Sequence, residues 1–330
     1  MAPGSSSKAS SSSDNKSGEA YEATLRRLSH IQSHLSRRAR SGRLNGKVCI
    51  VTGVGSLTGI GRASVLHFAH EGAKHIYALD FDGTNLDDLA AAVTGAYPDV
   101  GITTKECDVA DEESVQEITE RAIKEQGRLD VFFANAAIVG NPVPVDMLDP
   151  EDVAETFRVN VASCVLAVKH GSAAMKKTSP SKPESSGSIV LTASVAGLRS
   201  GAGSSDYSAS KAAVISLAAT SAWQLSKTEI RVNAVCPGLI ETGMTKVVFD
   251  AARDRGTAGK IGQLNPMGRY GVAEEVSMDS AAAECTARHK ADSSSTSSSS
   301  LVFRSPTLSS SSHPMKRPTS TASLCPCAGV

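Results

Sequence analysis

From Lys47 onward, short runs of β-branched and apolar residues alternate with longer stretches whose apolar positions recur at helical spacing. The short runs predict strands near 47–53, 75–80, 101–107, 129–134, 188–194 and 230–236. The longer stretches predict helices near 60–71, 84–95, 111–126, 150–177 and 206–227. Strand and helix in strict alternation, with each helix able to make a right-handed crossover, form an α/β pattern: a Rossmann-like, doubly wound parallel sheet of six strands in a three-layer αβα arrangement.

The pattern fails at both ends. Residues 1–19 are mostly Ser, Lys, Gly and Ala with almost nothing to bury, so disorder is expected there. In residues 20–43, Leu25, Leu28, Ile31 and Leu35 fall at helical spacing while Arg26, Arg27, Arg37, Arg38 and Arg40 fall elsewhere, which predicts a short basic amphipathic helix. An arm docking on its own domain is the plain reading; a mitochondrial presequence or a partner-binding helix are the alternatives. After Val276 the period is lost, and residues 286–330 become a Ser, Thr and Pro tract. The expected division is an arm over 1–43, one domain over 44–276 and a low-complexity tail over 277–330.

Composition narrows the function classes. With 34 basic and 34 acidic residues the formal charge is zero, so no global field draws the chain to nucleic acid or an anionic membrane, and a small, weakly charged substrate fits better. Cys49, Cys107, Cys164 and Cys236 sit in apolar segments at wide spacings, as buried thiols in a reducing compartment do. No apolar run reaches the roughly 18 residues that span a bilayer, and the Ser-rich start lacks a signal-peptide core, so the cytoplasm is expected. Cys325 and Cys327 have one residue between them and no second ligand pair, so no metal site is expected.

Two constellations carry chemistry. The predicted first strand runs into Gly53, Gly55, Gly59 and Gly61, where it turns into a helix; glycines there permit a tight turn and let the backbone approach a pyrophosphate at the helix N-terminus. Asp80 ends the second strand 19 residues beyond Gly61, near the spacing of a carboxylate that bonds adenosine ribose hydroxyls and repels a 2′-phosphate, and this favours NAD over NADP. Asp108, closing the third strand, falls where a carboxylate could meet the adenine, whereas Asp111 is the better helix cap.

The second constellation is Tyr-Ser-Ala-Ser-Lys, which puts Tyr207 and Lys211 one helical turn apart on one face. A tyrosine titrates at about 10, and a neighbouring ammonium is expected to lower it so that Tyr207 can exchange a proton near neutral pH. Ser194 closes a strand 13 residues earlier and could hold a substrate oxygen toward Tyr207. Asn160 is a lone polar residue among apolar ones; it could bond backbone, or a water that relays protons to Lys211.

Taken in order, these motifs resemble the short-chain dehydrogenase/reductase family over residues 44–276. The resemblance implies a Rossmann fold, NAD(P)-linked oxidation of a secondary alcohol or reduction of a ketone, and a tetrad at Asn160, Ser194, Tyr207 and Lys211. It implies a cofactor site of Gly53, Gly55, Thr58, Gly59, Ile60, Gly61, Asp80, Asp108, Val109, Asn135 and Ala136, with Tyr207 and Lys211 also touching the cofactor. Pro237 and Gly238 look like the element that closes over nicotinamide, Thr242 like its carboxamide contact, and residues 240–268 like a mobile substrate lid.

Three features depart from the family. The glycine loop is two residues longer than usual, leaving open which of Ser56, Leu57 and Thr58 meets phosphate. Ala137 stands where a glycine is usual. After Glu274-Glu275-Val276 the family continues with an apolar helix, a seventh strand and Asp-Gly-Gly, whereas this chain reads Ser-Met-Asp-Ser and then becomes Ser-rich. The last strand is therefore expected to be missing, which leaves the sixth strand's edge open and makes a homo-oligomer doubtful. That loss sustains a second reading, a catalytically inactive NAD-binding or regulatory relative.

Overall fold

The computed structural model describes residues 10–33, 39–263, 265, 267–277 and 300–303. Leu35, Arg37, Arg38, Leu264, Cys325 and Cys327 lie outside the described residues. Among the described residues, no helix is long and apolar enough to cross a membrane.

The six expected strands form within two residues of their expected bounds: β1 (Val48–Thr52), β2 (His75–Asp80), β3 (Gly101–Glu106), β4 (Val131–Ala134), β5 (Gly187–Thr192) and β6 (Ile230–Pro237). All six run parallel in the order β3-β2-β1-β4-β5-β6, so the chain reverses its direction of winding between β1 and β4. Both faces of the central strands are covered, which is why Val48–Thr52 is buried throughout and reads as an unbroken apolar run. On β4, Phe132 enters one apolar layer with Ile118, Ile189 and Val214, while Phe133 enters the other with Val65, Phe68 and Leu89.

The helices pack on these two layers. They are α1 (Ser10–Gln32), α2 (Ile60–His70), α3 (Leu86–Ala96), α4 (Glu112–Gln126), α5 (Pro150–Phe157), α6 (Ser163–Met175), α7 (Ser205–Gln224) and α8 (Lys246–Asp254). Asp111 caps α4 by accepting from Ser114 N at 2.9 Å, and Gly127, at φ 73°, ends it. Two-residue strands β7 (Ile240–Glu241) and β8 (Gly271–Val272) pair with each other and bracket helix α8.

Three expectations need correction. The helix expected over 150–177 is interrupted at Arg158–Ala162 by a π turn centred on Asn160, whose side chain is tied to backbone outside the helix. The N-terminal helix starts at Ser10, inside the stretch expected to be disordered. Its downstream half docks: Leu28 is buried with Phe249, Tyr270 and Val272, and once one turn is fixed each added residue extends the ladder at little cost.

The third correction concerns the sheet edge. Ser300–Phe303 (β9) pairs antiparallel with β6, with Pro237 opposite Ser300 and Ala234 opposite Phe303. The seventh position is thus filled from the tail, and the premise of an open β6 edge does not hold. A bare edge presents unpaired amides and carbonyls, and Leu301-Val302-Phe303 is the longest apolar run among residues 286–330.

Candidate active site

The loop after β1 is built for close backbone approach. Gly53 has φ 73°, and a Cβ at Gly61 would lie 2.1 Å from Gly53 O, so helix α2 can pack this near the strand only with glycine there. The two additional residues are absorbed by a turn in which Gly59 N donates to Ser56 O at 2.9 Å, leaving Ser56, Leu57 and Thr58 exposed. Gly59 caps α2 without a side-chain bond, so the first-turn amides of Ile60 and Gly61 keep the geometry that suits an anion.

Asp80, at the end of β2, accepts from Gly55 N at 2.6 Å and from Asp82 N at 3.0 Å. Its carboxylate therefore stands against the glycine loop, with acceptor capacity left for ribose hydroxyls. From the other side of the switch point, Asn135 N and Ala136 N each donate to Thr52 Oγ1 at 3.0 Å, and Asn135 Nδ2 donates to Thr52 O and Gly53 O at 3.1 Å. Thr52 and Asn135 thus fasten the ends of β1 and β4 together where a dinucleotide crosses such a sheet. A glycine cradle, uncapped amides and a carboxylate at β2 together fit a dinucleotide.

Asp108 lies near this end but is already paired: Oδ1 accepts from Ala110 N at 2.9 Å and Oδ2 from Arg158 Nη1 at 2.8 Å. The adjacent Val109 side chain is in the apolar core.

The four tetrad candidates meet at the C-terminal side of β5. Ser194 follows β5 and its Oγ accepts from Ala196 N at 3.1 Å. Tyr207 is in the first turn of α7 and hydrogen-bonds Ser194. Lys211, one turn on and 1 % exposed, donates to Thr192 O at 2.9 Å, with Nζ 5.5 Å from the centre of the Tyr207 ring. Asn160, fully buried, accepts from Ile138 N at 2.8 Å and donates to Ile138 O and to Ser210 Oγ at 3.1 Å. Of its two expected roles, Asn160 fills the backbone-bonding one.

Burial dominates the electrostatics. It pushes the Lys211 ammonium down to about 8, against the opposing pull of Cys164 and Cys236. It pushes the Tyr207 phenol up, opposed by the Ser194 hydrogen bond. The expected lowering of Tyr207 by the ammonium is therefore not found: burial of the phenol sets the direction of its shift.

Pro237 ends β6, and Gly238 follows it on the way to β7. Thr242 lines a groove with Leu57, Thr58, Gly59 and Arg62, between the glycine loop and α8; none of the tetrad lines it. The residues missed by sequence reasoning are polar ones that close buried strands: Thr52 on β1, and Thr192 on β5, whose Oγ1 donates to Asn135 Oδ1 at 3.2 Å. A lone threonine ending an apolar run was the available signal. Among the described residues no group of three His, Cys, Asp or Glu side chains is placed to hold a metal ion.

Comparison with known proteins agrees with this construction. The profile described as short chain dehydrogenase matches residues 47–253. The chain is 37% identical over 234 residues to 3-oxoacyl-(acyl-carrier-protein) reductase of Thermotoga maritima, covering 71% of this chain and 88% of that protein. Levodione reductase of Leifsonia aquatica is 33% identical over 237 residues, 71% of this chain and 85% of that protein. Among solved structures, a levodione reductase superimposes with a TM-score of 0.66 at 32% identity, covering 73% of this chain and 91% of that one. An NAD+-bound xylitol dehydrogenase does so with a TM-score of 0.62 at 30% identity, covering 73% and 93%. With fold, strand order, glycine loop and match all in agreement, this chain belongs to the short-chain dehydrogenase family of NAD(P)-linked oxidoreductases.

Proposed function

We propose that the chain interconverts a secondary alcohol and a ketone with NAD, and that Tyr207 gives or takes the hydroxyl proton. The observation that carries the reading is the convergence of Tyr207, Ser194 and a buried Lys211 beside a loop that fits a dinucleotide. Bound NAD supplies the carbon that accepts or returns hydride.

The residues of the chain do the rest. Amides of the Gly53–Gly61 loop hold the pyrophosphate, and Asp80 takes the adenosine ribose hydroxyls while disfavouring a 2′-phosphate. Ser194 fixes the substrate oxygen toward Tyr207. Lys211, charged at neutral pH, is held by Thr192 O one turn from Tyr207, where its buried charge braces the floor of the site. Pro237, Gly238 and Thr242 lead the lid over the nicotinamide end. Four described free thiols, all buried, suit a reducing compartment such as the cytoplasm.

The reading is tested by NAD and NADP binding by calorimetry and by assay over a panel of secondary alcohols and ketones. Turnover that falls by about 10²-fold or more in Tyr207→Phe, with NAD affinity kept, supports it. NAD binding without turnover by any panel member favours the inactive relative instead.

A further inference from the structure

Asp206 immediately precedes Tyr207, and the chemistry above does not use it. An acidic residue in a helix's first turn ordinarily sits in water and answers the positive end of its own helix. Asp206 differs in being 2 % exposed and in accepting from two other segments. Its Oδ2 takes Asn141 N, from the loop after β4, at 3.0 Å and Thr156 Oγ1, from α5, at 3.0 Å. Burial alone would raise this carboxyl, but its hydrogen bonds, those from Asn141 and Thr156 among them, outweigh burial and hold the group ionised.

The other oxygen meets bare backbone. A Cβ at Gly140 would lie 2.2 Å from Asp206 Oδ1, and that carboxylate has no room to retreat while its partners hold it. The same loop is tied again two residues earlier, where Asn160 bonds both Ile138 N and Ile138 O. Asn160 in turn donates to Ser210 Oγ, which donates to Tyr207 O at 2.8 Å. Residues 138–141 are thus fastened on both sides of the tyrosine's own turn.

Resting on the dehydrogenase reading above, we propose that Asp206 is a positioning residue: it clamps residues 138–141 to the start of α7, so that this loop forms a fixed wall of the substrate site beside Tyr207. Gly140 sets how closely wall and helix approach. Among the described residues, the side-chain hydrogen bonds of Thr52, Asp80 and Asn135, which hold the cofactor half of the site, are separate from those of the clamp. The clamp therefore acts on the alcohol or ketone and leaves the dinucleotide alone.

The test compares wild type with Asp206→Ala, Asp206→Asn, Gly140→Ala, Thr156→Val and Tyr207→Phe, using NAD and the best-turned-over alcohol of the panel. For Asp206→Ala the expected result is a substrate KM raised about tenfold and kcat lowered about tenfold, with the NAD dissociation constant within about twofold of wild type. Gly140→Ala reproduces this from the other side, and Asp206→Asn restores most of the loss because its amide oxygen can accept both bonds. Should Asp206→Ala fail to fold, Thr156→Val, which removes one bond at nearly constant volume, carries the test with a substrate KM raised about threefold.

An unchanged KM with kcat lowered only in proportion to the NAD-binding-competent fraction marks a purely structural carboxylate and overturns the proposal. So does an Asp206→Asn as impaired as Asp206→Ala. Wild-type turnover that is absent, or that survives Tyr207→Phe, fails the dehydrogenase reading itself and removes the proposal with it.

Discussion

Lys211 is expected to cost the fold stability. Its ammonium is buried without a carboxylate partner, and the fall of its pKa from the ordinary 10.5 to about 8 corresponds to about 3 kcal/mol at neutral pH. Lys211→Met keeps the length of the side chain and removes the charge, but it leaves Thr192 O without its donor, a loss of about 1–3 kcal/mol. The net effect at pH 7 is a variant no less stable than wild type, by up to about 2 kcal/mol, and inactive.

The sign of the pH dependence follows from the direction of the shift. The native state disfavours the charged lysine, so wild type carries the full penalty below pH 8 and sheds it between pH 8 and 10.5, where the native lysine has given up its proton while the unfolded chain still holds one. Wild type should therefore gain about 2 kcal/mol on Lys211→Met between pH 7 and pH 9.5. Urea denaturation of both proteins at the two pH values measures this, and other titrating groups cancel in the difference to first order. A stability difference that does not move with pH would refute the reasoning.

Asp80→Asn keeps an acceptor for Gly55 N but removes the charge, so NAD affinity should fall about threefold to tenfold and NADP affinity rise, read by calorimetry. Unaltered discrimination would show that Asp80 does not choose the cofactor. Leu28→Asp places a carboxylate among Phe249, Tyr270 and Val272 and should release α1 at a local cost of about 2–3 kcal/mol. Hydrogen exchange in α8 is then expected to speed up while exchange in β1 and β4 stays unchanged; equal acceleration everywhere would mean global destabilisation instead.

The central strands were legible because burial on both faces writes an unbroken apolar run such as Val48–Thr52. The placing of Tyr207 and Lys211 together was legible because four residues put two side chains on one helix face, and that of Ser194 because it closes an apolar strand just ahead of that helix. Asp206 gave no signal, since its role depends on Asn141 and Thr156, 65 and 50 residues away. Likewise, the direction of the Tyr207 shift depends on how deeply the fold buries the phenol, which spacing does not specify. The edge strand was missed because three apolar residues in a Ser-rich tract fall below any period, and pairing with β6 supplies what the local sequence lacks.

The π turn at Arg158–Ala162 inserts, in effect, one residue into an otherwise continuous helix, which shifts the angular phase of α6 relative to α5 by about 100°. The helix thus keeps two phases. In α6, Cys164, Ala167, Ala174 and Met175 face the sheet, while in α5 the buried Thr156 faces Asp206. Neither stripe continues into the other, and Asn160 sits at the join. Shortening the helix by a single residue here would restore regular hydrogen bonding, yet it would rotate one stripe off its target. Natural variation at this point is therefore expected as exchanges of residue type and not as changes of length.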